Sequence, residues 1–386
     1  MGAFALMADR VFDGVSVRDE AAVVVEDEHV VGVVPPGEIG AAKPVALPPG
    51  TLLAPGFVDV QVNGGGGVLF NDDPTVDGIA TIAAAHRRFG TTGLLPTLIS
   101  DSREAMRRAI DAVAEAIERR LPGVLGIHLE GPFLNVARKG VHPPEHILSA
   151  EASDLDLLSS LGRRGITLVT LAPECVPAGF VAELTRRGVI VCAGHTEATA
   201  AQILAAVEEG LAGFTHLFNA MSQLGSREPG AVGVALAGPG TFAGIIPDGH
   251  HVAELSLKLA WKAKGRDRLM LVTDAMSPVG TDLRAFPLFG RTVEVREGRC
   301  VTADGTLAGA CLDMAGAVRF MVRRVGVPLE DALAMASRTP AAFLGLAPAR
   351  GRLAPGSRAD LVALGPDLSV GETWIGGSPA RHRSWA

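Results

Sequence analysis

Two different apolar rhythms divide this chain. Before Ala54 the apolar positions come in short runs: Ala21 to Glu26 and Val30 to Val34 flank an acidic turn, and Pro35-Pro36 and Pro48-Pro49-Gly50 punctuate the next stretch. That pattern predicts short strands and no long helix. From Ala54 onward, apolar runs of strand length alternate with helical segments such as Ser102 to Arg120 and Ala198 to Gly210. The strand runs begin near Phe57, Thr92, Val124, Ile166, Val189, Phe214, Phe242 and Leu269. GVLGIHLEG, GITLVTLAP, GVIVCAGH and RLMLVTDAM are almost continuously apolar, as parallel strands buried on both faces must be. Repeated βα units of this kind predict an α/β fold, a (β/α)8 TIM-type barrel over residues 54–345. Beyond the helix containing SRTPAAFLGL, the segment GRLAPGSRADLVAL returns to strand and turn character. Residues 1–53 and 346–386 are therefore expected to build one small β-sandwich domain beside the barrel.

Composition narrows the class. Hydrophobic residues make up 48% of the 386, yet aromatics are 4% and Tyr is absent, so small aliphatics must do most of the packing. A net charge of -7 argues against nucleic acid, which demands a basic footprint, and means that any anionic substrate is held by local cations. The start, MGAFALMADR, does not read as a signal peptide. The long uncharged stretch from Gly230 to Pro247 is broken by Gly and Pro and reads as loop and strand, so no membrane span is expected. Cys175, Cys192, Cys300 and Cys311 form no C-x-x-C pair and read as reduced thiols of a cytoplasmic protein.

Polar residues gather where the barrel strands end, the face on which such barrels carry their chemistry. His128-Leu129-Glu130 closes the third strand run, Gly194-His195-Thr196 the fifth, Thr215-His216-Leu217 the sixth and Thr273-Asp274-Ala275 the eighth. Two imidazoles and a carboxylate with an open position suit a divalent cation, Zn²⁺ foremost, although other divalent metals accept the same donors.

The segments APGFVDVQVNGGGG, GIHLEGPFLN followed by KGVHPPEHI, AGHTEAT, THLFNAMSQLGSREPGAVG, PDGHHV and LVTDAM run in order across almost the whole barrel. Together they resemble the N-acetylglucosamine-6-phosphate deacetylases of the amidohydrolase superfamily, and GRLAPGSRADLVAL resembles that superfamily's usual re-entry into its β-sandwich. The resemblance implies hydrolysis of the acetamide of an N-acetylated amino-sugar 6-phosphate in amino-sugar catabolism. It makes Glu130, His195 and His216 the metal ligands, and Asp274 the aspartate that takes a proton from water and returns one to the leaving amine. His142 would contact the amide carbonyl. Val141, His142, Asn219, Ala220, Asp248, Gly249, His250, His251, Leu307, Ala308 and Gly309 fall in matching substrate-binding segments, with Ala310 standing where Ser is more usual. Arg227 and His251 match phosphate contacts that the family is thought to bring in from a neighbouring subunit, so a homodimer with shared active sites is expected. Deacetylation of the galactosamine epimer is the nearest alternative, and a non-catalytic amidohydrolase-fold scaffold is the rival from another class.

The first strand departs from the superfamily at large. Gln61-Val62-Asn63 stands where His-x-His is common, and amides are poor transition-metal ligands, so one metal per chain is expected. TLAPEC on the fourth strand lacks the lysine of carbamate-bridged relatives. His128, two residues before Glu130, shares its strand face and reads as packing or support for a ligand. His29, His86, His146 and His382 sit in turn, helix, loop and tail contexts where exposure is expected, and Gly64 to Gly67 reads as a close-approach loop over the metal.

Overall fold

The computed structural model describes residues 2–238 and 240–380. Eight parallel strands form the barrel sheet: β1 (Phe57–Val62), β2 (Thr91–Ile99), β3 (Gly126–Glu130), β4 (Ile166–Leu171), β5 (Ile190–Ala193), β6 (Gly213–Phe214), β7 (Phe242–Ile245) and β8 (Leu269–Leu271). Neighbours in sequence are neighbours in the sheet, from β1 through β8. All eight strands begin within two residues of the positions their apolar runs predict. Every residue of β1, β2 and β3 is buried, because helices cover the outside and side chains fill the inside.

Local chemistry sets the helices. Ser102 accepts the amide of Ala105 to start the helix Arg103–Glu118. Thr199 and Gln202 form a reciprocal capping box at the head of Ala200–Glu208. The shell between helices and sheet is filled by small aliphatics and a few Phe, among them Phe57, Phe133 and Phe214, as the composition requires.

Both termini contribute to a second, mixed sheet. Its strands are Phe4–Phe12, Val17–Glu26, His29–Val34, Lys43–Ala46, Leu52–Pro55, Leu361–Leu364, Val370–Ile375 and Ser378–Pro379. Phe4–Phe12 is the fork: its first half pairs with Lys43–Ala46, and Arg10 and Val11 pair with Leu52 and Leu53. Strand alternation gives this sheet two apolar faces, one centred on Leu6, Val11, Val23, Val25, Leu361 and Trp374, the other on Ala5, Ala22 and Val24. Leu52–Pro55 belongs to this sheet, and the chain passes into the barrel at Gly56.

Two features differ from the sequence reading. Gly230–Ala237 is a helix, with Phe242–Ile245 the strand that comes after it, so the uncharged stretch is not all loop and strand. Its glycines look like breakers, but six of the eight helical residues are buried against neighbouring helices, and packing overrides propensity. After β8, Ala285–Leu288, Arg291–Arg296, Arg299–Val301 and Leu307–Ala310 form a four-stranded antiparallel sheet that the apolar pattern does not predict. Among the described residues no helix is long and apolar enough to cross a membrane, and all four cysteines are free thiols.

Candidate active site

Glu130 ends β3, while His195, His216 and Asp274 each stand just past the end of a barrel strand. His195, His216 and Asp274 have φ of 50°, 33° and 50°, and Ala220 lies at 49°. Non-glycine residues in the left-handed region are strained, and such strain persists where the surrounding fold over-determines the backbone. Here the strain turns side chains inward over the barrel mouth.

Three ligand atoms converge there. Glu130 Oε1 lies 3.0 Å from His195 Nε2 and 3.0 Å from His216 Nε2, and the two Nε2 atoms are 3.0 Å apart. His195 Nδ1 is 2.7 Å from the Arg138 carbonyl oxygen, an acceptor only, so Nδ1 carries the proton and Nε2 presents a lone pair. A carboxylate oxygen and imidazole lone pairs crowded together in a buried place repel one another unless a cation lies among them. The set therefore fits a divalent metal, and among the described residues it is the one cluster of His, Cys, Asp and Glu close enough to hold an ion. Burial alone would push the Glu130 carboxyl up; the adjacent His195 and His216 imidazoles outweigh it and hold the group well below the usual range.

The two amides of β1 are engaged elsewhere. Gln61 Nε2 donates to Glu130 Oε2 at 3.1 Å and to Asp274 Oδ1 at 3.2 Å, and Asn63 Nδ2 donates to Asp274 Oδ1 at 2.6 Å. They occupy the positions from which a second set of imidazoles would bind, and orient both carboxylates instead. Burial, with the nearby Glu130 charge, pushes the Asp274 carboxyl up to about 6. A base of that strength suits proton transfer near neutrality.

His142 arrives from the loop after β3. Its Nδ1 accepts the backbone N–H of Ser100 at 3.2 Å and lies 2.8 Å from Ser100 Oγ. Burial and the neighbouring His195 hold it well below the usual imidazole range, so the ring is neutral with its proton on Nε2. Nε2, 4.0 Å from Glu130 Oε1, is a donor aimed into the site.

A cavity of about 250 Å³ opens over these groups. Asn63, Glu130, Val141, His142, His195, His216, Asn219, Ala220, His251, Asp274, Leu307 and Gly309 line it, so most of the sequence-predicted positions do come together. Ala308 is fully buried beneath the wall, and Asp248, Gly249 and His250 stand outside it. Asp248 serves by holding His251, Oδ2 to Nδ1 at 2.6 Å, with its other oxygen accepting the amides of His250 and His251. His251 thus stands in its own chain's cavity. Arg227 lies on an exposed loop away from the cavity.

Other histidines divide differently from the sequence reading. His128 is buried and supports the site, its Nε2 2.8 Å from Thr170 Oγ1, as expected. His86 is fully buried instead of exposed: its helix turns it against the glycine loop, where Nε2 meets the Gly64 carbonyl at 2.9 Å, and burial lowers its pKa to about 4. A Cβ on Gly64 would stand 2.4 Å from the Val68 carbonyl oxygen and 2.8 Å from the Ser277 amide. The glycine run is indeed a close-approach loop, but its neighbours are the 275–279 segment and His86, and it does not line the cavity. His382 lies outside the described residues.

Relatives match this chain over nearly its whole length. It is 46% identical to an N-acetylgalactosamine-6-phosphate deacetylase of Shewanella sp. (strain ANA-3), covering 97% of this chain and 95% of the relative. It is 33% identical to an N-acetylglucosamine-6-phosphate deacetylase of Haemophilus influenzae, covering 97% and 98%. The crystal structure of N-acetylglucosamine-6-phosphate deacetylase from Pasteurella multocida superposes with a TM-score of 0.94 at 34% identity, covering 98% of this chain and 100% of that one. Residues 52–380 match the model of the amidohydrolase family. With ligand cluster, barrel and sequence in agreement, the chain belongs to the amidohydrolase family.

Proposed function

We propose that this chain removes the acetyl group from an N-acetylhexosamine 6-phosphate, giving the amino-sugar 6-phosphate and acetate. The observation that carries the reading is the joint placement of the Glu130, His195 and His216 cluster, the raised Asp274 carboxyl and the His142 donor around one cavity. A scaffold without catalysis would have no use for that set.

Glu130, His195 and His216 would hold one divalent cation, most readily Zn²⁺, which when bound would supply Lewis acidity towards the acyl carbonyl and lower the pKa of water. Asp274 takes a proton from the attacking water. His142 Nε2–H donates to the acyl oxygen as charge gathers on it. Asp274 then returns its proton to the sugar nitrogen as the C–N bond breaks, and amine and acetate depart. Asn219, Ala220, Leu307 and Gly309 shape the wall against the sugar, and His251 offers its ring to the phosphate.

Arg227 supplies the second phosphate contact from a partner chain in a homodimer. Three observations support this: Arg227 lies outside its own cavity, Leu224 on the same loop is exposed, and Leu204, Leu255 and Leu259 on nearby helices are exposed as well. Arg gives phosphate a planar fork in a chain that is otherwise acidic. We place the enzyme in the cytoplasm, where its free thiols persist.

The family resemblance names the gluco epimer, N-acetylglucosamine 6-phosphate, but the motifs do not distinguish it from the galacto epimer, since that choice rests on contacts to one hydroxyl. The galacto epimer is favoured by one specific observation, the higher identity to the Shewanella relative, 46% against 33% for the Haemophilus one. Acetate release from the two epimers, measured side by side with added zinc, decides between them. Release from neither would sink the deacetylase reading.

A further inference from the structure

The barrel sheet closes imperfectly. Its ladders run from β1 to β8, but β8 and β1 share no regular ladder. Just past β8 the seam is held by single contacts: Asp274 N–H donates to the Gln61 carbonyl at 3.0 Å, and Val62 and Ala275 form an isolated bridge. One side chain adds to them. Asp59 of β1 accepts Thr273 Oγ1–H on Oδ2 at 2.5 Å, and on Oδ1 accepts the backbone amides of Thr273 at 3.3 Å and Gln61 at 3.2 Å. Asp59 and Thr273 are both fully buried.

Each of these bonds lands beside a residue of the site. Thr273 immediately precedes Asp274, and Gln61 both donates to the Asp274 carboxylate and receives the Asp274 amide. Asp274 itself has φ of 50°, a conformation that needs external restraint. Nothing in the proposed chemistry uses Asp59, yet the fold keeps a carboxylate there although burial pushes it up to about 7.

We propose that Asp59 is a positioning residue for the general base: by clasping Thr273 across the seam between the first and last barrel strands, it fixes where the Asp274 carboxylate stands. The inference rests on the reading of Asp274 as that base. It predicts that loosening the clasp lowers turnover without weakening substrate binding, because the base drifts while the cavity walls and ligand cluster stay.

The test uses the full-length, metal-loaded protein in four forms besides wild type. Thr273→Val keeps volume and removes the hydroxyl, Thr273→Ser restores it, Asp59→Ala removes the clasp, and Asp59→Ala/Thr273→Val removes both partners. Thr273→Val should lower kcat by about tenfold with KM changed by less than about twofold, and Thr273→Ser should recover most of the loss. The double variant should be no slower than Asp59→Ala alone, since a residue acting only through the other has nothing further to lose. Metal content per chain should be unchanged throughout. A readout independent of activity is hydrogen exchange at the Asp274 amide, which should quicken in Asp59→Ala. Multiplicative losses in the double variant, metal loss in step with activity, or normal kcat and amide protection in Thr273→Val would each overturn the proposal. If wild type deacetylates neither epimer, the functional reading fails by itself, and the exchange measurement still decides whether the clasp holds Asp274.

Discussion

Replacing Asp274 by Asn tests the chemistry most directly, because the structure dictates how the new side chain must sit. In the native site Oδ1 of Asp274 receives Asn63 Nδ2 at 2.6 Å and Gln61 Nε2 at 3.2 Å. Both are donors, so in Asp274→Asn only the carbonyl oxygen can take that position, and the amide nitrogen is forced into the place of Oδ2. A donor then occupies the position from which a proton should be accepted. General-base catalysis contributes roughly 10²–10⁴ in rate, or about 3–5 kcal/mol of barrier. The variant should therefore lose at least about 100-fold in kcat, with KM within about threefold. It should retain the metal, because Asp274 is not one of the three clustered ligands. The pH profile adds a sign. The carboxylate accepts protons only when ionised, so wild-type turnover should fall as pH drops through about 6, where burial places this group, and lower still when the cation is bound. That acidic limb should vanish from the residual activity of Asp274→Asn. Initial rates of acetate release, paired with elemental analysis, read all of this. A fully metallated variant within about tenfold of wild type would move the base elsewhere.

Purified protein should bind about one transition metal per chain, because Gln61 and Asn63 are committed to the two carboxylates, and His216→Ala should abolish metal and activity together; two tightly held metals by elemental analysis would contradict this. Asp59 binds its proton more tightly folded than unfolded, so its contribution to stability is full below about pH 4 and is lost as pH rises towards 7, by up to about 4 kcal/mol. Asp59→Asn should flatten that part of the pH dependence in denaturant titrations, and a profile parallel to wild type would refute the linkage. Arg227→Ala should raise KM for the phosphorylated sugar far more than for the unphosphorylated one. Mixing it with Asp274→Asn should restore activity towards half of wild type per mixed dimer once subunits exchange, whereas exchange without recovery would place Arg227 in its own chain's site.

Much of this molecule is legible in the sequence because burial on both faces leaves a plain signature. β1 to β8 are apolar for most of their length, and their ends are marked by His195, His216 and Asp274, polar residues with no reason to interrupt such runs. The features that the sequence hides depend on partners far along the chain. His86 looks like any helical histidine until its helix presses it onto Gly64. The sheet from Ala285 to Ala310 has short strands with exposed, charged faces, so its alternation resembles a polar loop. Gly230–Ala237 is helical through its neighbours and not through its own propensity. Asp59 gives no signal because a lone carboxylate in a strand carries no pattern; its meaning comes from Thr273, more than two hundred residues later.

The terminal sheet imposes an order on synthesis. Leu52–Pro55 pairs directly with Leu361–Leu364, Leu53 opposite Ala363, so one ladder joins stretches of chain that leave the ribosome roughly 300 residues apart. Until Leu361–Leu364 emerges, Leu52–Pro55 is an apolar edge strand with free amides and carbonyls on that side, of the kind that recruits other chains. A nascent or C-terminally clipped molecule would carry that sticky edge beside an otherwise complete barrel. Solubility of the newborn chain therefore depends on Leu361–Leu364, made roughly 300 residues after the edge that strand covers.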